Sequence, residues 1–185
     1  MSPPSSFFLT ERERLRQAAQ LGPVLDLACG RGRHALAAAR DGLATLGVDR
    51  NPEFLRALAV TAHDEKLPLQ AVRADLESGT GIPVQAGACG AILVFRFLFR
   101  ELSREIVKRL CPGGLLLYET FTIHQRELGY GPSNPDFLLQ PGELPSLFPE
   151  LVEVYSWEGV TGGEKPWAVA RLLAQRPLDA TSASR

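Results

Sequence analysis

Cysteine is scarce in this chain of 185 residues: Cys29, Cys89 and Cys111 are widely separated and form no C-x-x-C pair. Three scattered thiols frame neither a disulfide core nor a zinc site, so no metal is expected and a reducing cytoplasm suits them. Long apolar runs are missing too, with nothing approaching the roughly 20 residues that span a bilayer. The opening Met1-Ser-Pro-Pro-Ser-Ser-Phe-Phe8 lacks a basic start and an extended apolar stretch, so a secretory leader is not expected. Charge of one sign is nearly absent. Twenty Lys and Arg against 21 Asp and Glu leave −1, and no global field draws in nucleic acid, although a local basic patch is compatible with that balance. No internal repeat stands out.

What is present is ordinary globular material, 45% hydrophobic and 22% charged. The length suits one domain, residues 1–185, able to bury about 70% of its unfolded surface. Residues 1–8 and 177–185, rich in Pro, Ser or small polar residues, are expected to be loose ends. Thr10 is expected to cap a first helix running to about Gln20, with Glu13 at the capping-box position. Short apolar runs at 24–28, 43–48, 69–74, 89–95 and 115–120 read as strands. Helix formers at 33–41, Asn51-Pro52 opening a helix, and residues 103–110 separate them. Cys111-Pro-Gly-Gly114 reads as a turn. Strands alternating with helices argue for a parallel α/β sheet. A short helix at 142–148 and two strands, 151–157 and 167–174, with a Gly-rich connection predict an antiparallel hairpin at one sheet edge.

Chemistry concentrates at strand ends. Val24-Leu-Asp-Leu-Ala-Cys-Gly-Arg-Gly-Arg-His34 runs from a strand through Gly30 and Gly32 into a helix, where missing side chains let backbone approach a ligand. Asp49 ends the second strand about 20 residues after Gly30, placed to accept from ribose hydroxyls. Asp75 ends the third, where a carboxylate can take an exocyclic amine while the Leu76 N–H meets a ring nitrogen. Singly, each is equally a loop residue or a cap. Three acids at three successive strand ends form a pattern. Gly30-x-Gly32-x-x-Ala35 also satisfies a dinucleotide fingerprint, but little chain is left for the substrate region that hydride transfer usually needs.

Asp26-Leu-Ala-Cys-Gly-Arg-Gly32, Gly47-Val-Asp-Arg50, Ala74-Asp-Leu76 and Cys111-Pro-Gly-Gly114 resemble the successive motifs of class I S-adenosylmethionine (SAM)-dependent methyltransferases, over residues 22–174. Arg33 after the Gly-rich motif is similar to the tellurite-resistance (TehB-like) branch. Tyr118-Glu-Thr-Phe-Thr122, Asn134-Pro-Asp-Phe-Leu-Leu139 and Pro141-Gly-Glu-Leu144 resemble small bacterial methyltransferases of unnamed substrate. The resemblance implies a Rossmann-like three-layer sandwich, a mostly parallel seven-stranded sheet with an antiparallel C-terminal hairpin. It implies SAM as cofactor and S-adenosylhomocysteine as product. The expected cofactor contacts are Asp26, Ala28, Cys29, Gly30, Gly32, Asp49, Arg50, Asp75, Leu76 and Phe95. Asp26 would orient the amino end, Gly30 and Gly32 would flank the methionine part, Asp49 would hold the ribose, and Asp75 with Leu76 the adenine. Ala28 stands where the family usually has Gly.

For the acceptor, the reading is a small molecule, with methylation of RNA or protein, or a non-catalytic SAM- or nucleotide-binding module, as rivals. No RNA-binding appendage is recognisable, and nothing in the sequence bears on oligomeric state. Methyl transfer requires alignment more than a base, so no catalytic residue is obligatory; Arg96, His124 and Tyr130 are the candidates. Phe97, Arg100, Glu119, Phe121 and Asn134 also lie just past strands four and five. Arg96 and Arg100 among phenylalanines suit an anionic or planar acceptor, or equally cap carbonyls and pair with Glu101 or Glu105. His124 reads as a surface residue or a base, and Tyr130 as an ordinary loop residue or part of a lid over 122–140. Asn134-Pro-Asp-Phe137 is taken as structural. Residues 5–7 precede a helix that could close over the cofactor, with Arg12, Arg14 or Arg16 near its carboxylate.

Overall fold

A computed structural model describes residues 2–178. Its strands are β1 (Val24–Leu27), β2 (Thr45–Asp49), β3 (Leu69–Arg73), β4 (Cys89–Phe95), β5 (Leu110–Phe121), β6 (Val152–Val160) and β7 (Ala168–Gln175). They form one seven-stranded sheet in the order β3-β2-β1-β4-β5-β7-β6. The first five are parallel, while β7 runs antiparallel to both β5 and β6. This is the α/β Rossmann-like architecture expected, with its antiparallel C-terminal end.

Helices are α1 (Ser6–Thr10), α2 (Arg12–Ala18), α3 (Arg33–Arg40), α4 (Pro52–Asp64), α5 (Ser103–Arg109) and α6 (Glu143–Ser146). Every residue of β1 and β4 is buried, which is why both read as unbroken apolar runs rather than alternations. Leu25, Leu27, Ile92 and Val94 join one cluster with Ile106 of α5. Val24, Ala91 and Leu93 join another with Phe8, Leu15 and Ala38. Asp26 lies on this second face, turned toward α3. The Asn51 side chain accepts from the N–H groups of Glu53 at 2.9 Å and Phe54 at 3.2 Å, with Pro52 in the first turn, as expected of that cap.

The N-terminal expectations need correction. Thr10 ends α1 instead of opening a helix, its hydroxyl bonded to the Ser6 carbonyl, and α2 has no side-chain cap. Residues 5–8 are not loose. The Ser5 hydroxyl accepts from Phe7 N–H, and Phe7 and Phe8 are buried against the sheet. Two buried aromatics supply the apolar area that a five-residue helix cannot supply from propensity. Met1 and residues 179–185 lie outside the described residues. Cys111-Pro-Gly-Gly114 is no separate turn but a bulge inside β5. Cys89 pairs with Leu110 while Ala91 pairs with Leu115, and Gly113 takes a positive φ of 80°. Among the described residues no helix is long and apolar enough to cross a membrane.

The chain starts mid-sheet at β1, winds outward to β3, then returns to β4 on the other side of β1. Where that order reverses, the two crossovers diverge and leave a crevice at the strands' carboxyl ends. Ala28 follows β1 and Arg96 follows β4, so both stand at this switch point.

Candidate active site

Two clefts open along that edge and meet at Ala28 and Arg96, the only described residues lining both. The first, of about 380 Å³, has Asp49, Asp75 and Leu76 at one end and Phe121 and Phe137 at the other. The second is floored by Asp26, Gly30 and Phe95, with Arg33 and His34. Three non-glycine residues have positive φ among the described residues: Lys66, Ala28 at 51° and Arg96 at 59°. The left-handed region costs a residue with a Cβ roughly 1–2 kcal/mol. Two of the three strained positions are therefore the two that join the clefts, and such strain gathers at working sites.

On the cofactor-like side the loop is held by carboxylates. Asp49 accepts from Gly30 N–H at 2.7 Å and from Asn51 N–H at 2.8 Å. Each of its oxygens keeps a further lone pair for a ligand hydroxyl. Asp75 is exposed and accepts from Glu77 N–H at 3.0 Å. Asp26 is buried and accepts from Ala35 N–H at 2.9 Å. Burial lifts its carboxyl to about 7, only partly offset by that bond and by the Arg33 charge. Gly30, at φ 56°, has open space where a Cβ would stand. A Cβ on Gly32 would come 2.5 Å from Leu58, so Gly32 is there for packing and lines neither cleft. Burial, then the nearby Asp26 and Asp49 charges, push the Cys29 thiol far up, leaving it protonated and inert.

His34 escaped the sequence reading. It is buried and stacked on Phe95 with ring centroids 3.8 Å apart, and its Nε2 accepts from Ser5 N–H at 3.1 Å. Burial, reinforced by Arg33 and Arg96, pushes it down to about 3, so it is neutral. With the accepting nitrogen engaged, it is no free base. Its clue was helical spacing: His34 and Ala38 lie four residues apart on the inward face of α3.

The acceptor-side candidates separate sharply. The Arg96 backbone N–H donates to the Glu119 carbonyl at 2.8 Å, but its side chain makes no hydrogen bond or ion pair among the described residues. Its guanidinium lies over Trp167 at 4.6 Å and near Phe121 at 5.8 Å. Arg100 pairs with Glu143, not with Glu101 or Glu105, and donates to the carbonyls of Asp136 and Leu138, both at 3.0 Å. Glu119 is buried, taken by Arg171 at 2.7 Å and by the Ser5 hydroxyl. His124 is exposed and meets Glu127, away from both clefts. Tyr130 donates to the Pro166 carbonyl and packs edge-on against Trp167. Asn134 caps the short turn Pro135–Phe137. Arg12 and Arg16 pair with Asp41, and Arg14 with Glu11, so none of the three reaches the clefts. Buried Gln125, unmarked in the sequence, ties residues 122–130 to the last hairpin by accepting from Ala168 N–H and donating to the Tyr130 carbonyl.

Residues 24–114 match the model of a family described as a methyltransferase domain. Just under half of the chain thus resembles a methyltransferase domain, and its fold is that of SAM-dependent methyltransferases. Solved methyltransferase structures share its fold. TehB from Haemophilus influenzae is 21% identical, with a TM-score of 0.69 over 89% of this chain and 62% of TehB. This chain thus spans less than two thirds of that relative. A SAM-dependent methyltransferase from Methanosarcina mazei is 17% identical (TM-score 0.71, 90% of this chain and 98% of that one). Another from Mesorhizobium loti is 18% identical (TM-score 0.68, 90% and 97%). No curated protein matches by sequence. Every expected cofactor residue except Gly32 lines one of the two clefts.

Proposed function

We propose that this protein, in a reducing cytoplasm, transfers the methyl group of SAM to a small-molecule acceptor at the junction of the two clefts. One observation carries the reading. Asp49, Asp75 and the open Gly30 turn share a single edge with the two strained residues of the switch point. The residues suit the cofactor's chemistry. Asp75 and the Leu76 N–H take the adenine, and Asp49 takes the ribose hydroxyls beside the Arg50 backbone. Ala28, Cys29 and Gly30 line the methionine part, with Asp26 at its ammonium and half-buried Arg33 at its carboxylate. Phe95 and His34 form one solid wall of that cleft.

When bound, SAM supplies a methyl carbon on a sulfonium, so an acceptor lone pair forms the new bond while the C–S pair returns to sulfur. The protein's share is proximity and exclusion of water. The segment 122–140 serves as a roof. Thr122 bridges to Leu139, and Pro132 and Phe137 close over the first cleft. A small acceptor suits a cleft of about 380 Å³, and a net charge near zero offers nucleic acid no steering field. The test is twofold. Calorimetry should show SAM binding that weakens in both Asp49→Ala and Asp75→Ala while the variants stay folded. Radiolabelled methyl from SAM should enter the small-molecule fraction of an extract. Label entering only RNA or protein would contradict the acceptor reading, and no label in any fraction would favour a non-catalytic module.

A further inference from the structure

The methyltransferase reading leaves the acceptor's chemistry open, and the far end of the first cleft narrows it. Three independent features meet there. Arg96 is a cation with no anionic partner among the described residues, held on an aromatic face at a strained backbone position. Thr120 is fully buried in the wall of the same cleft, and its Oγ1 has no hydrogen-bond partner. An orphan buried hydroxyl is costly and points to a group it meets in another state. Phe97, Phe121 and Phe137 line this end, together with Pro132. No side chain positioned to take a proton stands among them. Asp49, Asp75 and Glu77 are at the opposite end, and His34 and His124 are spoken for. An acceptor that must lose a proton is poorly served here, whereas one that arrives as an anion needs only to be held.

We infer that the space between Arg96, Thr120, Phe121 and Phe137 is the acceptor subsite, and that it takes a small organic oxyanion, a carboxylate or phosphonate, carried on an apolar body. This inference rests on the methyl-transfer reading of the cleft. Arg96 supplies the charge, and its planar guanidinium, braced by Trp167, offers paired donors. Thr120 adds a hydrogen bond once the exposed side chains of Arg96 and Phe137 shift on entry, and the phenylalanines take the apolar body.

The test uses the full chain loaded with S-adenosylhomocysteine. Benzoate, phenylphosphonate and neutral benzamide are titrated by calorimetry, with S-adenosylhomocysteine affinity measured on each sample. Benzoate or phenylphosphonate should bind at least ten-fold more tightly than benzamide. Arg96→Gln should abolish that preference, and Thr120→Val should weaken the anion several-fold while raising the melting temperature of the free protein, because it removes an orphan hydroxyl. S-adenosylhomocysteine affinity should stay within two-fold in Thr120→Val, and Arg96→Gln should still bind S-adenosylhomocysteine. Equal binding of the three probes, no binding of any, or an unchanged preference in Arg96→Gln overturns the acceptor assignment alone. Failure of S-adenosylhomocysteine to bind the unaltered protein overturns the cofactor reading beneath it.

Discussion

The proposed cofactor side and the proposed acceptor side of the cleft are built by different means. On the cofactor side, strand ends deliver the working groups and nearby backbone holds them. Asp49 grips Gly30 and Asn51, and Asp75 grips Glu77. On the acceptor side, long-range contacts do the work. Arg100 reaches Glu143 and the carbonyls of the 122–140 segment, Gln125 reaches Ala168, and Tyr130 reaches Pro166. The first design makes a site that loop substitutions leave standing. The second makes one whose shape can change while the cofactor side stays the same.

The largest expected effect is on the cofactor side. Asp49→Ala removes the acceptor for two backbone N–H groups along with the proposed bonds to both ribose hydroxyls. At about 1.5 kcal/mol for each charge-assisted bond, SAM affinity should fall by about 100-fold, read by calorimetry on a variant whose circular dichroism is unchanged. If the fall is no greater than that caused by a loop substitution such as Arg100→Ala, the contrast between the two sides collapses. Next comes Gly32→Ala. A Cβ 2.5 Å from Leu58, at φ 76°, should cost about 2–3 kcal/mol of stability in denaturant unfolding.

The boundary between the two sides is also the boundary of what the sequence disclosed. The five parallel strands, the Asn51 cap and the strand-end acids Asp49 and Asp75 were readable because periodicity and local capping are short-range properties, whereas Asp26 lies inside β1 and not at its end. Arg100 was recognisable as a carbonyl cap or ion-pair partner, but not its partner Glu143, 43 residues away. Glu119 looked available, yet Arg171, 52 residues on, occupies it. Helix α1 was missed because its stability comes from Phe7 and Phe8 packing on the sheet, which no local propensity reveals.

Smaller effects sharpen the contrast. Arg100→Ala should leave SAM affinity unchanged and cost no more than about 1 kcal/mol globally, since the pair is partly solvated. Hydrogen exchange in residues 122–140 should nonetheless quicken clearly. The titration of the buried pair beneath the second cleft comes next. Asp26, raised from 3.8 to about 7, binds a proton in the folded state that the unfolded chain lacks, so its contribution falls as pH rises from about 4 to 7. His34, lowered from 6.5 to about 3, is neutral in the folded state while the unfolded chain is protonated, so its contribution grows as pH rises from about 3 to 6.5. Between about pH 4 and 6.5 the two slopes oppose each other. Asp26→Asn should leave the His34 slope exposed, with stability rising through that window in urea unfolding. The smallest effect sits at the junction. Ala28→Gly relieves a positive φ of 51° and should stabilise the fold by up to about 1 kcal/mol.

A crystal structure of the complex with S-adenosylhomocysteine decides whether the clefts form one site. Adenine should lie by Asp75 and Leu76, the ribose hydroxyls within 3 Å or so of Asp49, and the sulfur between Ala28 and Arg96, facing Phe121 and Phe137. A ligand seated elsewhere, or one whose sulfur points away from Arg96, would contradict both the division of the cleft and the methyl transfer proposed across it.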